Sequence, residues 1–219
     1  MGFVSDKYIA RFFDPDRSNS LTYRCRQQRN EEFKRRFPSL PDMRVLDLGG
    51  TATSWHVAGL RAQHLTIVNI DPFEQAVEPW MEVIRGDACD GGFGKFDLVF
   101  SNSVLEHVGG HARRQQFANV VRESAPAYWV QTPYRYFPIE PHWLFPGFQF
   151  LPFRARVEVT RHWNVGHNPA LKDVGEAAAL VASTELVSAT EMRAYFPDGA
   201  IWYERFAGIP KSVTACKTA

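Results

Sequence analysis

Residues 45–51 constrain the fold more than any other part of the chain. They form a short apolar run that ends in an acid, two glycines and a hydroxyl residue, in the order Val-Leu-Asp-Leu-Gly-Gly-Thr. A continuous apolar run predicts a buried parallel strand, and glycines beyond it let the backbone turn sharply and approach a ligand. Residues 52–60 follow as a predicted helix, with Thr53 or Ser54 as its cap. A strand, glycine turn and helix in this order predict a site for a nucleotide-like ligand.

The rest of the chain alternates strand-like and helix-like segments. This alternation predicts right-handed crossovers and a largely parallel sheet. The last two strands, at 200–206 and 211–217, are joined by a short Ala-Gly-Ile-Pro connection, which predicts an antiparallel hairpin. The predicted fold class is therefore α/β, with a doubly wound, mostly parallel, seven-stranded sheet. The five earlier strands are predicted at 43–48, 65–70, 82–85, 96–100 and 128–131.

Two regions interrupt the alternation. Residues 1–42 are predicted to be helical, either as a lid over the ligand or as a solvated helix that turns Phe33 and Phe37 inward. Residues 43–219 form the predicted ligand-binding domain, and 133–170 are a predicted cap inserted after strand five. The first part of this cap is rich in aromatic residues and holds five prolines between 133 and 152, which preclude a long regular helix there.

Composition narrows the class of protein. A formal net charge of +1 gives no overall attraction to nucleic acid, so no nucleic-acid partner is expected. Three widely spaced cysteines suit a reducing compartment and provide neither a disulfide framework nor a zinc cluster. The first residues lack the apolar core of a signal peptide, and no run approaches the roughly 18 apolar residues of a membrane-spanning helix. A cytoplasmic location is therefore expected.

Three acids follow or close the first three strands. Asp47, Asp71 and Asp87 would share one edge of a parallel sheet and line one crevice. An acid after strand two suits a ribose diol, one near strand one suits an ammonium group, and one after strand three suits an adenine amino group. Each acid has a simpler interpretation as a helix cap, a turn former or a loop residue. Because no phosphate cradle is evident, the predicted ligand is a nucleoside with little or no phosphate.

With these motifs the chain resembles the class I S-adenosylmethionine-dependent methyltransferases. The resemblance rests on residues 45–51, 69–71, 86–88 and 96–108, in that order and spacing. The Gly-Gly-Thr form of the first motif, followed by an aromatic residue, is similar to a subgroup of small bacterial methyltransferases, as is the stretch 132–142. The resemblance implies S-adenosylmethionine as cofactor and S-adenosylhomocysteine as product.

The resemblance also implies a set of cofactor contacts. The acid after strand two would hold the ribose hydroxyls, and the residues after strand three would frame the adenine. The glycine turn would face the methionine part, and the end of strand four would border the transferring methyl group. Threonines replace the later glycines of the family's first motif. The implied cofactor-binding residues are Asp47, Gly49, Gly50, Thr51, Asp71, Asp87, Ala88, Asn102 and Ser103.

Histidines are the candidate catalytic residues that would act on the methyl acceptor. An oxygen or nitrogen acceptor can need a base near neutral pH, and histidine suits that role. His142 beside Glu140 is the preferred candidate because it lies in the aromatic cap, and His107 is the second. His142 could instead only hydrogen-bond cap backbone, and His107 could serve helix packing or contact the methionine part. His107 and His111 have helical spacing, but glycines separate them and no third ligand is evident, so no metal site is predicted.

The predicted function is transfer of a methyl group to a small-molecule or lipid-linked acceptor, with O- or N-methylation favoured. The apolar stretch 143–151 could line a pocket for an apolar or aromatic acceptor, touch a membrane surface, form a homodimer contact, or pack as core. Two alternatives remain open. One is a non-catalytic nucleoside-binding module, which would have the same sheet but no methyl-transfer activity. The other is an NAD(P)-dependent oxidoreductase, which would need a G-x-G-x-x-G motif that residues 49–54 do not provide.

Overall fold

The computed structural model describes residues 21–71, 77–166 and 168–218. Helix α1 (Leu21–Arg36) begins the described part, and a single 3₁₀ turn follows it. Phe33 is buried and packs edge-on against Phe100 and Trp129, with ring centroids 4.9 and 5.5 Å away. The described part of α1 therefore packs on the sheet, as in the second of the two sequence interpretations. The rest of the predicted lid, residues 1–20, lies outside the described residues.

Seven strands form one sheet in the order β3-β2-β1-β4-β5-β9-β8. The first five pair in parallel, and β9 pairs antiparallel with β5 and β8. The predicted α/β fold, with its closing hairpin, is therefore confirmed. In chain order the strands are β1 (Arg44–Leu48), β2 (His64–Asn69), β3 (Met81–Arg85), β4 (Leu98–Asn102), β5 (Ala127–Pro133), β6 (Ile139–Glu140), β7 (Phe145–Pro146), β8 (Ala200–Phe206) and β9 (Ile209–Lys217).

Helices cover both faces of the sheet. Trp55 belongs to the same apolar cluster as Phe33 of α1, and Phe117 and Met192 belong to the cluster on the opposite face. Within the described residues, no helix is long and apolar enough to cross a membrane. The remaining helices are α2 (Ala52–Ala58), α3 (His111–Ser124), α4 (Phe153–His162), α5 (Val174–Ala182) and α6 (Ala189–Tyr195).

Some element boundaries differ from the sequence predictions. Strand β4 begins at Leu98, so Asp97 precedes the strand and accepts a hydrogen bond from the Arg44 backbone N–H at 2.7 Å. Helix α2 is capped by Thr51 and not by Thr53 or Ser54. Strand β9 begins at Ile209, which shortens the hairpin connection to two residues.

The cap has an apolar core of its own. Strands β6 and β7 form a two-stranded sheet, and the Trp143 and Phe148 rings stack with centroids 4.6 Å apart. Helix α4, which the proline count did not predict, begins directly after the last of the five prolines. The cap core continues into α5 through Ala177 and Val181, beyond the predicted end at residue 170.

Candidate functional site

A cavity of about 270 Å³ lies at the carboxyl ends of β1 to β4. This edge is where open α/β sheets bind ligands, and it is the edge at which the sequence predicts the crevice. Residues after each of the four strands line the cavity, together with one side chain from α3. The lining residues are Gly49, Val68, Asn69, Ile70, Gly86, Asp87, Ala88, Ser103, Val104, His107, Val108 and Arg113.

The glycine turn after β1 forms one wall of the cavity at close range. Gly49 has a φ of +81°, and a Cβ there would lie 2.5 Å from Cγ2 of Val104. A Cβ on Gly50 would lie 1.8 Å from Oδ2 of Asp47. Only glycine fits either position without a shift of its neighbours. The sequence therefore dictates a wall of backbone atoms, which a ligand can approach closely.

Asp47 is placed differently from the prediction. It lies on the face of β1 against which α2 packs and is only 1% exposed, and its carboxylate accepts a hydrogen bond from Trp55 Nε1 at 2.7 Å. Burial raises the pKa of Asp47 to about 7, although this hydrogen bond lowers it. The side chain lies beneath Gly50 and does not line the cavity, so its geometry is that of a structural residue.

Thr51 also has a structural role in this geometry. Its Oγ1 accepts a hydrogen bond from the Ser54 backbone N–H at 3.1 Å, and the Ser54 hydroxyl donates to the Thr51 carbonyl at 2.6 Å. This reciprocal capping satisfies the first turn of α2. Thr51 therefore fixes the start of α2 directly after the glycine turn.

Asn69, at the end of β2, organises the backbone although the sequence predicts no role for it. Asn69 Nδ2 donates to the Gly50 carbonyl at 3.0 Å, and its Oδ1 accepts from the Asp71 backbone N–H at 3.1 Å. Asp71 is exposed beside the cavity-lining Ile70. Asn69 thus ties the glycine turn to the predicted ribose-binding acid. Asn69 belongs to the motif 69–71, on which the sequence resemblance rests, and this motif is the sequence signal that could have identified it.

After β3, Asp87 and Ala88 line the cavity, which is where the resemblance places the adenine. One carboxylate oxygen of Asp87 accepts from the Cys89 backbone N–H at 2.9 Å. The other pairs with the Arg113 guanidinium at 2.5 Å. Arg113 comes from the first turn of α3, far away in sequence, and no local motif marks it as part of the site.

The two predicted cofactor-binding residues at the end of β4, Asn102 and Ser103, lie in different surroundings. Ser103 lines the cavity with a φ of +56°, and its hydroxyl donates to Gln131 Oε1 at 3.3 Å. Asn102 instead accepts a hydrogen bond from Trp129 Nε1 at 3.3 Å within the sheet, and it is not among the lining residues. Arg29 of α1 also donates to Gln131, so α1 reaches the edge of the site through one side chain.

The three predicted catalytic residues come together beside the cavity. His142 Nδ1 lies 2.7 Å from Glu140 Oε1, and the other Glu140 oxygen accepts the backbone N–H groups of His142 and Trp143. His107 and His142 face each other nearly edge to face, with ring centroids 4.9 Å apart. A buried fourth residue, Glu106, adjoins them. We call Glu106, His107, Glu140 and His142 the histidine–carboxylate cluster.

Burial and charge set the ionisation of this cluster. Burial alone would lower the pKa of His142, but the hydrogen bond to Glu140 and the charges of Glu140 and Glu106 outweigh it and raise the pKa above its usual value. Burial raises the pKa of Glu106, against the opposing influence of the two histidines. The cluster therefore brings two acids and two imidazoles together beside the cavity, with both carboxylates buried, the His142 ring partly buried and the His107 ring exposed.

Comparison with known proteins identifies the fold. No protein-family model matches the sequence, and no curated protein matches it. Among solved structures, the N-methyltransferase NodS from Bradyrhizobium japonicum WM9 aligns at 12% identity with a TM-score of 0.52, covering 90% of this chain and 98% of NodS. A complex of DhpI with SAH aligns at 15% identity with a TM-score of 0.55, covering 98% and 94%.

A third structure, the magnesium protoporphyrin IX methyltransferase ChlM from Synechocystis PCC 6803 with bound SAM, aligns over the whole of both chains at 13% identity with a TM-score of 0.51. The fold of this chain is thus that of the class I S-adenosylmethionine-dependent methyltransferases, as the sequence resemblance predicts.

Proposed function

We propose that this protein transfers a methyl group from S-adenosylmethionine to a small-molecule acceptor. The observation that carries the proposal is the cavity at the carboxyl ends of β1 to β4, with the glycine turn on one side and Asp87 on another. The fold and the absence of a phosphate cradle in the sequence support a nucleoside ligand. A charged sulfonium with an attached methyl group would then face the histidine–carboxylate cluster.

In the proposed arrangement, each part of the cofactor lies near the end of a different strand. The methionine part would lie against the backbone of Gly49, and the adenine would lie between Asp87 and Ala88 after β3. The ribose hydroxyls would reach the exposed carboxylate of Asp71. Ser103 would border the methyl group, since it lines the cavity on the side of His107.

On the acceptor side, His142 is the residue that activates the nucleophile, and Glu140 holds its ring in place through the 2.7 Å contact. The acceptor gives its proton to His142, its oxygen or nitrogen atom forms a bond to the methyl carbon, and the carbon–sulfur bond breaks with its electron pair left on sulfur. Most of the acceleration in such a transfer comes from holding the two reactants in line and excluding water. The cap that carries His142 supplies this enclosure.

The cap favours an acceptor with apolar or aromatic surface. Trp143 and Phe148, which make the stretch 143–151 so apolar, form the core of the cap. Tyr136 and Phe150 remain half exposed and stack with centroids 6.2 Å apart, which offers a surface to an apolar acceptor or to lipid. Co-sedimentation with vesicles of anionic lipid tests the membrane alternative, and a protein that stays in the supernatant contradicts it.

Calorimetric titration of the purified chain with S-adenosylmethionine and, separately, with NAD tests the proposed function. We expect saturable binding of one S-adenosylmethionine and none of NAD. NAD binding would indicate the oxidoreductase instead, and failure to bind S-adenosylmethionine would overturn the proposal. Cofactor binding without release of S-adenosylhomocysteine, across a broad panel of hydroxyl and amine acceptors, would indicate a non-catalytic binding module.

Asp71→Ala examines the cofactor site more closely. Hydrogen bonds from the ribose to a charged acceptor contribute about 1.5–3 kcal/mol each, so the variant should bind S-adenosylmethionine at least tenfold more weakly, since about 1.4 kcal/mol corresponds to tenfold. Asp42→Ala is the matched control, because Asp42 is equally exposed but precedes β1 at the opposite edge of the sheet. Equal affinities for the two variants would remove Asp71 from the site.

A further inference from the structure

We propose that Glu106, His107 and His142 form a binding site for a divalent metal ion where the turn after β4 meets the cap. Each side chain offers one potential ligand atom, and these three atoms lie within 4.8 Å of one another. Ligands held at about 2.1 Å from one zinc ion lie roughly 3–4 Å apart. Small side-chain rotations therefore suffice to bring the three atoms onto one ion.

The hydrogen bonds of both imidazoles leave one ring nitrogen available. His107 Nδ1 lies 3.1 Å from the Ser183 backbone carbonyl oxygen, which can only accept, and 3.3 Å from the Thr184 hydroxyl, which can accept as well. A hydrogen on Nδ1 satisfies both contacts. His142 Nδ1 donates in the same way to the Glu140 carboxylate. In each neutral ring, Nε2 then carries the free lone pair. Histidines that bind metal ions have this arrangement, in which an oxygen acceptor behind Nδ1 fixes the tautomer and orients the ring.

Glu106 provides an independent indication of a cation. Its side chain is 1% exposed, and its Oε2 accepts a hydrogen bond from Thr132 at 2.9 Å. Its Oε1 is buried and has no hydrogen-bond partner among the described residues. A buried carboxylate oxygen without a partner is costly, and a metal ion held together with the two imidazoles would compensate it directly.

The donor set indicates the kind of ion. Two imidazole nitrogens and one carboxylate oxygen suit zinc, iron(II), cobalt(II) or manganese(II) better than magnesium or calcium, which prefer sites built from oxygen ligands. Three protein ligands also leave at least one coordination position open, as in catalytic metal sites. His107 lines the cofactor cavity, so the open position would lie on the side of the transferring methyl group.

The chemical role of the ion rests on the proposed function, whereas its binding does not. A hydroxyl oxygen of the acceptor would occupy the open position and lose its proton to solvent. This oxygen would then form the bond to the methyl carbon while the carbon–sulfur bond breaks and leaves its electron pair on sulfur. The acceptor would therefore be a hydroxyl compound, and His142 would act as a metal ligand and not as the free base predicted from the sequence.

Direct metal binding tests the inference. The full chain, freed of any affinity tag and dialysed against a chelator, is titrated with Zn²⁺ by calorimetry and with Co²⁺ by visible absorption. Glu106→Gln, His107→Ala and His142→Ala remove one ligand each. His162→Ala is the matched control, because its Nδ1 also contacts a backbone carbonyl, that of Glu158 at 2.9 Å, but on the exposed surface of α4. Thermal unfolding confirms that each variant is folded.

We expect one equivalent of metal to bind the wild type and the control. Each cluster variant should lose about tenfold or more in affinity, since removing even an outer partner of a metal ligand costs 10–100-fold. No saturable binding at one equivalent, or equal binding by the cluster variants and the control, overturns the inference. Either result leaves the proposed function standing if S-adenosylmethionine still binds. Loss of cofactor binding in the wild type, with metal bound normally, would overturn the proposed function alone.

Discussion

The cavity at the carboxyl ends of β1 to β4 and the histidine–carboxylate cluster lie side by side, but the chain builds them in different ways. The wall of the cavity at β1 comes from consecutive residues: the glycines at 49 and 50 pass close to Val104 and Asp47, and Thr51 caps the helix that follows. The cluster joins residues 106–107 after β4 to residues 140–142 in the cap, and its His107 is oriented by Ser183 from a third segment.

This difference determines how each region responds to change. A site of backbone atoms is sensitive to the volume and conformation of the turn, whereas a site of side chains is sensitive to the loss of single functional groups. Variants of the cavity should therefore alter cofactor binding and stability. Variants of the cluster residues that do not line the cavity, which are Glu106, Glu140 and His142, should alter turnover while cofactor binding is retained.

The largest expected effect is on the pH dependence of stability, and it comes from Asp47 beneath the glycine turn. Its pKa of about 7 in the folded protein exceeds the ordinary value of 3.8 for an aspartate, so the folded state keeps a proton that the unfolded state releases. The free energy of unfolding should thus fall as pH rises from 4 to 7, by about 4 kcal/mol in total. Asp47→Asn keeps an acceptor for Trp55 and should abolish this fall, as measured by urea unfolding at pH 4 and pH 8.

The same variant separates two roles for Asp47. If the residue is structural, Asp47→Asn binds S-adenosylmethionine as tightly as the wild type does. A tenfold loss of affinity would restore the amino-group contact that the sequence resemblance implies. Parallel pH dependences of stability in variant and wild type would contradict the buried, protonated carboxyl group.

A smaller but more specific effect is expected for His142→Ala. Loss of a group that activates the acceptor costs about 100-fold or more in kcat, while the affinity for S-adenosylmethionine should stay within about twofold, because the ring does not line the cofactor cavity. Release of S-adenosylhomocysteine measures turnover, with His162→Ala as the control. Unchanged turnover would make His142 a residue that only supports the cap backbone.

The smallest effect compares two glycines with the same left-handed backbone. Gly49 has a φ of +81° and Gly59 a φ of +59°, but a Cβ would meet Val104 only at Gly49, whereas nothing lies within 4 Å of it at Gly59. Alanine at Gly59 should cost about 1–2 kcal/mol of stability from the backbone conformation alone, measured by chemical denaturation, and alanine at Gly49 should cost more because Val104 must also shift. Only Gly49→Ala should also weaken cofactor binding, and equal cofactor affinities would contradict the close approach of this wall to the ligand.

The sequence predicts the cavity better than the cluster for a physical reason. Strand burial, glycine turns and hairpins are encoded by neighbouring residues, so the order of elements and the positions of Gly49 and Asp87 follow from local pattern. The sequence predicts that Asp47 contacts the ligand, but the structure buries its side chain under Gly50. This burial depends on where α2 packs, which the local pattern does not show. Arg113 and the pairing of His107 with His142 depend on tertiary contacts between distant segments, and no local spacing encodes them.

A crystal structure of the protein with S-adenosylhomocysteine would show directly whether the cavity holds the cofactor. We expect the nucleoside in the cavity, with adenine beside Asp87 and Ala88, ribose hydroxyls on Asp71, and the sulfur atom on the side of Ser103 and His107 that faces His142. S-adenosylhomocysteine bound elsewhere, or bound in the cavity with its sulfur directed away from the histidine–carboxylate cluster, would contradict this arrangement.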